Sequence, residues 1–273
     1  MTELKLGLSP CPNDTFIFHA LLHGLVELGE EARIKPVFAD VERLNGMAVA
    51  GELPVTKISM GAFPAFKEKY RLLDSGSALG WGCGPILVAR EERSLESLLG
   101  EKIAIPGKRT TANMLLDATG YFEGPREETL FSEIIPAVAE GRAAAGVIIH
   151  EGRFTYHKRG LKKILDLGEW WEDRRGMPLP LGGIAIRRDV DPALGRAIEK
   201  AVAASARHAR QNPGVSRAFV KEWARELADE VIDAHIATFV TDFSESLGAA
   251  GRAAVAELLG QREEEIFFNA QGL

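Results

Sequence analysis

The sequence predicts an α/β protein of two lobes followed by a helical tail, and three observations carry that expectation. Short apolar strands alternate with helical stretches from Leu4 to Ile186. Three of the strand ends are unusually polar: Asn13-Asp14-Thr15, Lys57-Ile58-Ser59 and Gly107-Lys108-Arg109-Thr110-Thr111. From Pro192 onward only helical periodicity remains.

The first strand is Leu4-Lys5-Leu6-Gly7-Leu8, which alternates apolar and polar residues. It stops at SPCPNDT because Pro10 and Pro12 fix φ and carry no amide proton; Asn13, Asp14 or Thr15 then caps a helix from Phe16 to His23. A strand weakened by its proline follows at Ile34-Lys35-Pro36-Val37-Phe38. Then come a helix around Val41 to Ala50 and the strand Val55-Thr56-Lys57-Ile58-Ser59. Pro85-Ile86-Leu87-Val88-Ala89 is apolar enough to be buried. Ile103-Ala104-Ile105 opens another βα unit, whose helix runs from Ala112 to about Ala118. A helix from Glu133 to Glu140 is ended by Gly141, and the buried strand Gly146-Val147-Ile148-Ile149 delivers His150 and Glu151 at its end. Gly183-Ile184-Ala185-Ile186 is one further strand. In the tail, Leu194, Ile198, Ala201 and Val202 form one apolar stripe, and Val231, Ile232, His235, Ile236, Phe239, Val240 and Phe243 form another. These helices are expected to return and cover the first lobe, with a cleft between lobes.

Composition narrows the functional classes. The chain has 273 residues and 46% hydrophobic content, enough for a real core, and a formal charge of −6. Acidic residues spread along the chain leave no basic stripe of the kind nucleic acids require, so no nucleic-acid partner is expected. Cys11 and Cys83 are too few for a disulfide framework and fit a reducing compartment. No apolar run approaches the roughly 18 residues of a membrane span, and no signal region precedes the first strand, so the expected location is cytoplasmic.

Motifs narrow them further. Gly107-Lys108 is not a P-loop, because Lys102 stands where that loop needs its first glycine. Gly80-Trp81-Gly82-Cys83-Gly84 shares only its glycine content with a dinucleotide fingerprint, and reads as the approach to a lobe crossing. His19 and His23 have a spacing that can bind metal, but no further His/Cys cluster accompanies them, and no metal site is expected. His235 lies on an apolar stripe and reads as a buried, hydrogen-bonded histidine. Trp170-Trp171 reads as loop packing rather than as a stacking platform for a ligand. The three polar strand ends, taken singly, are ordinary helix caps; together, facing one cleft, they suit a small molecule bearing a carboxylate. His150, at a strand's C-terminal end, fits catalytic and structural roles equally well.

The stretches SPCPNDTFIFHALLHG, DVERLN, PVTKIS, PGKRTTA, GVIIHEGRFTY and LGEWWE followed by LPLGG together resemble the 1,4-dihydroxy-6-naphthoate synthase family of the futalosine route to menaquinone. The resemblance runs from the first strand to the C-terminal helices. It implies a fold similar to type II periplasmic binding proteins, with two crossings between lobes and a ligand held in the cleft. Residues 1–89 with 187–273 would form the first, larger lobe and 90–186 the second. It further implies a lyase acting on cyclic dehypoxanthine futalosine without metal or redox cofactor. The family's general base falls on His150, and its substrate-contacting segments fall on Lys57, Ile58 and Ser59 and on Thr110 and Thr111. Asp14, in the proline-rich turn, is added to that substrate-binding set. The alternative from another class is a non-catalytic binding protein for a carboxylated small molecule on the same fold.

Overall fold

The computed structural model describes residues 2–29 and 32–268. Residues up to Gly80 and from Pro180 form one unit, and Trp81–Leu179 forms a second. Both divisions come earlier in the chain than the sequence placed them. Strand Ile86–Ala89 hydrogen-bonds within the second unit's sheet, and strand Leu179–Arg187 within the first unit's, so strand pairing rather than the end of an apolar run sets the boundary. Met1, Glu30, Glu31 and residues 269–273, all assigned to the first lobe, lie outside the described residues.

Along the first unit run β1 (Thr2–Leu8), α1 (Pro12–Leu22), β2 (Ala32–Phe38), α2 (Val41–Ala50), β3 (Val55–Ser59), β4 (Tyr70–Leu72) and β5 (Ala78–Gly80). The second unit contains β6 (Ile86–Ala89), β7 (Ile103–Ile105), α3 (Thr111–Ala118), β8 (Arg126–Glu128), α4 (Phe131–Ala139), β9 (Ala145–Ile148), α5 (Gly152–Thr155), β10 (Lys162–Asp166) and α6 (Leu167–Arg175). The chain returns to the first unit through β11 (Leu179–Arg187), α7 (Pro192–Gln211), α8 (Arg217–Trp223) and α9 (Asp229–Phe239), with further helices as far as Ile266.

The first unit's sheet has the order β2-β1-β3-β11-β4, with β5 also paired to β11. β1, β2 and β3 are parallel, and β11 enters antiparallel to β3. Pro36 is tolerated because β2 lies at an edge, where a missing donor breaks no second ladder. α1 starts at Pro12 rather than Phe16. Proline is preorganised for the first helical position, so the turn contracts and Asn13 and Asp14 fall inside the first helical turn. Pro12 through Leu21 are all buried, because α7, α8 and α9 pack over α1 and enclose it against the sheet. The Ser205 hydroxyl on α7 ties the two helices: it donates to the Ile17 carbonyl at 2.6 Å and accepts the Leu21 N–H at 3.0 Å.

The second unit's sheet has the order β10-β6-β9-β7-β8. β7 runs parallel to β8 and to β9, while β6 opposes β9. Its core packs Ile86, Val88, Ala104 and Ile148 of the sheet against Ile134 and Val138 of α4. Gly84 and Gly168 cross backbone to backbone. A Cβ built on Gly84 would lie 2.2 Å from the Gly168 Cα, so neither position has room for a side chain. Trp170 and Trp171 sit on α6, not in a loop, and Trp171 is buried with its indole N–H donating to the Pro178 carbonyl at 3.3 Å.

Candidate active site

In a parallel sheet, neighbouring strands end on the same edge, and loops beyond their carboxyl ends face common space. β1 and β3 are such neighbours, and this topology brings Asp14 to Lys57. The Lys57 Nζ lies 2.9 Å from Asp14 Oδ1 and 3.2 Å from the Gly76 carbonyl, with side-chain exposures of 6% for Lys57 and 0% for Asp14. Asp14 Oδ2 also accepts from the Ser9 N–H at 3.2 Å and the Ser9 hydroxyl at 2.8 Å, and Oδ1 from the Asn13 amide at 3.0 Å. Behind Asn13 stands the fully buried His235, whose Nε2 is 3.0 Å from Asn13 Oδ1. The carboxylate is thus surrounded by donors, and these contacts offset the cost of burying it.

Ser59 is held from α2. Its N–H donates to Asn45 Oδ1 at 2.9 Å, while the Asn45 amide reaches Ser59 Oγ at 3.3 Å. The DVERLN stretch is thereby explained: Asp40 caps α2 by accepting from the N–H groups of Glu42 and Arg43, and Asn45 pins the end of β3. Ile58 is different. Its fully buried side chain points to the opposite face of β3 from Lys57 and Ser59, so only its backbone can meet a ligand.

In the second unit β7 and β9 are parallel neighbours, so Thr110, Thr111 and His150 lie beyond adjacent strand ends. Gly107, with φ 146°, turns the chain between β7 and α3. Thr110 is the N-cap of α3: its hydroxyl accepts the Asn113 N–H at 3.2 Å and donates to the Gly107 carbonyl at 2.7 Å. The Thr110 hydroxyl proton is therefore committed, and this strand end offers an anion the amides of the helix start. Lys108 turns to the surface, where it pairs with Glu128 at 3.0 Å and holds that carboxyl below its usual range.

β9 ends at Ile148, and His150 stands two residues beyond it in a turn with φ 54°. Among the described residues it is the one non-glycine with positive φ, and bent backbone of this sort clusters at functional sites. The half-buried imidazole meets the Phe131 ring edge to face, with centroids 5.1 Å apart.

The comparisons with known proteins bear on this arrangement. A family model described as menaquinone biosynthesis matches residues 4–264. The chain belongs to that family. It is 47% identical over 265 residues to a 1,4-dihydroxy-6-naphthoate synthase of Thermus thermophilus, covering 96% of this chain and 95% of the relative. A Streptomyces coelicolor protein of the same name is 43% identical over 275 residues, covering 98% of this chain and 96% of the other. A crystal structure of an Archaeoglobus fulgidus protein superposes with a TM-score of 0.88 at 36% identity, covering 94% of this chain and 96% of that one. The periplasmic aliphatic sulphonate binding protein of Escherichia coli superposes with a TM-score of 0.66 at 12% identity, covering 99% and 93%. The fold is thus periplasmic-binding-protein-like, as the resemblance implied, and the curated members of the family are enzymes.

Among the described residues no three His, Cys, Asp or Glu side chains gather as a metal site, and no helix is long and apolar enough to cross a membrane. His19 and His23 stack on each other at 4.2 Å instead, and burial with two neighbouring histidines, His23 and His208, lowers the His19 pKa. His235 is buried and hydrogen-bonded, as its place on an apolar stripe implied, but its partner Asn13 was not legible; the roles of Ser9 and Asn45 likewise depend on partners brought near by the fold.

Proposed function

We propose that this chain converts cyclic dehypoxanthine futalosine into 1,4-dihydroxy-6-naphthoate, as a cytoplasmic lyase needing neither metal nor redox cofactor. The observation that carries this reading is near-full-length likeness to two curated synthases of that product. His150 acts as the general base: an imidazole set beyond a strand end takes the proton next to an activating carbonyl carbon. Aromatisation of the product ring then drives release of the remaining sugar-derived carbons. The amides at the start of α3, aligned by Thr110 and Thr111, hold the carboxylate that becomes the 6-naphthoate group. Lys57, the Ile58 backbone and Ser59 bind the other part of the substrate, and Asp14 sets the Lys57 ammonium in place. Neither step calls on electron transfer or Lewis acidity.

The test is a product assay on purified protein with cyclic dehypoxanthine futalosine, followed by the naphthoate chromophore. The expected result is catalytic formation of the chromophore and its loss in His150→Asn. Tight calorimetric binding of the precursor without any turnover would instead support a non-catalytic binding protein.

A further inference from the structure

The turn bearing His150 is held from outside by a buried ion pair that the chemistry above does not use. Arg153 lies three residues after His150, in α5. Its N–H donates to the His150 carbonyl at 3.3 Å, and the Gly152 N–H donates to the Ile149 carbonyl at 3.2 Å. The Arg153 guanidinium leaves this turn in the direction of two other segments. Nη1 donates to the Gly84 carbonyl at 2.6 Å, and Nη2 lies 2.9 Å from Asp166 Oδ2, with side-chain exposures of 16% for Arg153 and 1% for Asp166. Asp166 is itself fixed, because its Oδ1 accepts the N–H groups of Gly168 and Glu169 at the start of α6. Gly84 is fixed too, by its backbone crossing with Gly168 and by the Leu167 N–H donated to the Pro85 carbonyl at 2.9 Å. Three chain segments, those before β6, after β9 and between β10 and α6, meet at one guanidinium.

We propose that Arg153, braced by Asp166 and the Gly84 carbonyl, is a positioning residue that holds His150 in its left-handed turn and so aims the imidazole. The proposal rests on the reading of His150 as the general base. Left-handed backbone is unfavourable for histidine and persists only where surroundings over-determine it. A buried ion pair is likewise poor at stabilising a fold compared with apolar packing, so its retention beside this turn points to geometry. The planar guanidinium donates to the Gly84 carbonyl from one nitrogen and sets a second against the Asp166 carboxylate, a two-nitrogen reach that the single ammonium of lysine does not reproduce. Phe131 supplies the other wall, so that backbone and ring are both constrained.

The test compares Arg153→Met and Arg153→Lys with the native chain, by steady-state kinetics and by NMR of the histidine Cε1–H resonances in the absence of substrate. For Arg153→Met, kcat falls about 10- to 100-fold with KM little changed, as expected when a reacting group is misplaced while substrate binding is kept. The His150 resonance shifts while those of His19, His23 and His235 in the other unit stay, and Arg153→Lys recovers part of kcat. If Arg153→Met does not fold, Arg153→Lys carries the test, with the same resonance shift and a smaller kcat loss expected. A variant that folds with native kcat and an unmoved His150 resonance overturns the proposal, as does a kcat loss without that shift. A moved resonance with native kcat keeps the positioning role and overturns His150 as the base instead.

Discussion

The Lys57 ammonium and the Asp14 carboxylate are 2.9 Å apart and almost completely withdrawn from solvent, Lys57 on β3 and Asp14 in the first turn of α1, which follows the neighbouring strand β1. Burying two charges costs several kcal/mol per ion, and their attraction repays this only with good geometry and further hydrogen bonds. Asp14 has those bonds from Ser9 and Asn13. Removing one partner strands the other, so Asp14→Leu or Lys57→Met alone should cost about 3 to 5 kcal/mol of stability. The double variant should regain most of that in urea unfolding, yet leave kcat/KM low. Recovery of activity along with stability would show the pair to be structural only.

Thr110 gives a sharper division between fold and binding. Its hydroxyl caps α3 and ties it to Gly107, so Thr110→Val should lose about 1 kcal/mol, the usual cost of an N-cap, and raise KM as the helix start loosens. Thr110→Ser keeps both bonds and should keep near-native stability and KM. A Thr110→Val protein of native stability and raised KM would point instead to direct contact between the hydroxyl and the substrate.

His19 makes stability depend on pH in a stated direction. Burial, His23 and His208 lower its pKa below the ordinary 6.5, so between that value and the lowered one the unfolded chain binds more protons. Its contribution is therefore whole above pH 6.5 and is lost as pH falls through the lowered pKa. Urea-unfolding free energies from pH 8 to pH 5 should drop less steeply in His19→Gln than in the native chain. Equal slopes would remove His19 as a source of acid sensitivity.

Cys83 is expected to be chemically silent. Burial pushes its thiol up to about 12, so it carries no thiolate near neutrality. Because unfolding returns the thiol toward its ordinary value of 9.0, stability should also fall as pH rises from there toward 12. In thiol-titration experiments at pH 8, labelling of Cys83 should await unfolding. Rapid reaction in the native state would show that its segment opens.

What the sequence disclosed depended on whether a residue's surroundings are local. α2, β3 and β7 were bounded to the residue, because Asp40 precedes α2, Pro54 precedes β3, and the wholly apolar β7 runs into Pro106-Gly107. β8 (Arg-Glu-Glu) and β10 (Lys-Lys-Ile-Leu-Asp) were missed: both are edge strands, exposed enough that no apolar alternation survives. β4 and β5, of three residues each, are too short to show a period. That Asp14, Lys57, Thr110 and His150 stand at or just beyond strand ends could be read from the Pro, Gly or change of polarity that marks each of those ends; their roles remain those proposed above. Arg153 and His235 were not assigned a role in the site, since what matters about them is a partner 69 and 222 residues away.

The proposed role of His150 as general base gives the most direct test. The residue stands two positions beyond β9, in a left-handed turn, with its ring against Phe131. His150→Asn keeps a polar side chain of similar reach, and asparagine tolerates left-handed backbone better than most residues, so the turn should survive. What asparagine cannot do is accept a proton. The chemical step should therefore slow by about 10² to 10⁴, the usual loss when general acid–base catalysis is removed, with much smaller changes in folding and in substrate binding by calorimetry. In the native enzyme kcat/KM should fall on acidification as the imidazole takes up a proton, and that limb should be missing from any residual activity of the variant. Near-native turnover in a folded His150→Asn protein would move the base elsewhere, and Glu151, the next residue along the turn, would then be the side chain to replace.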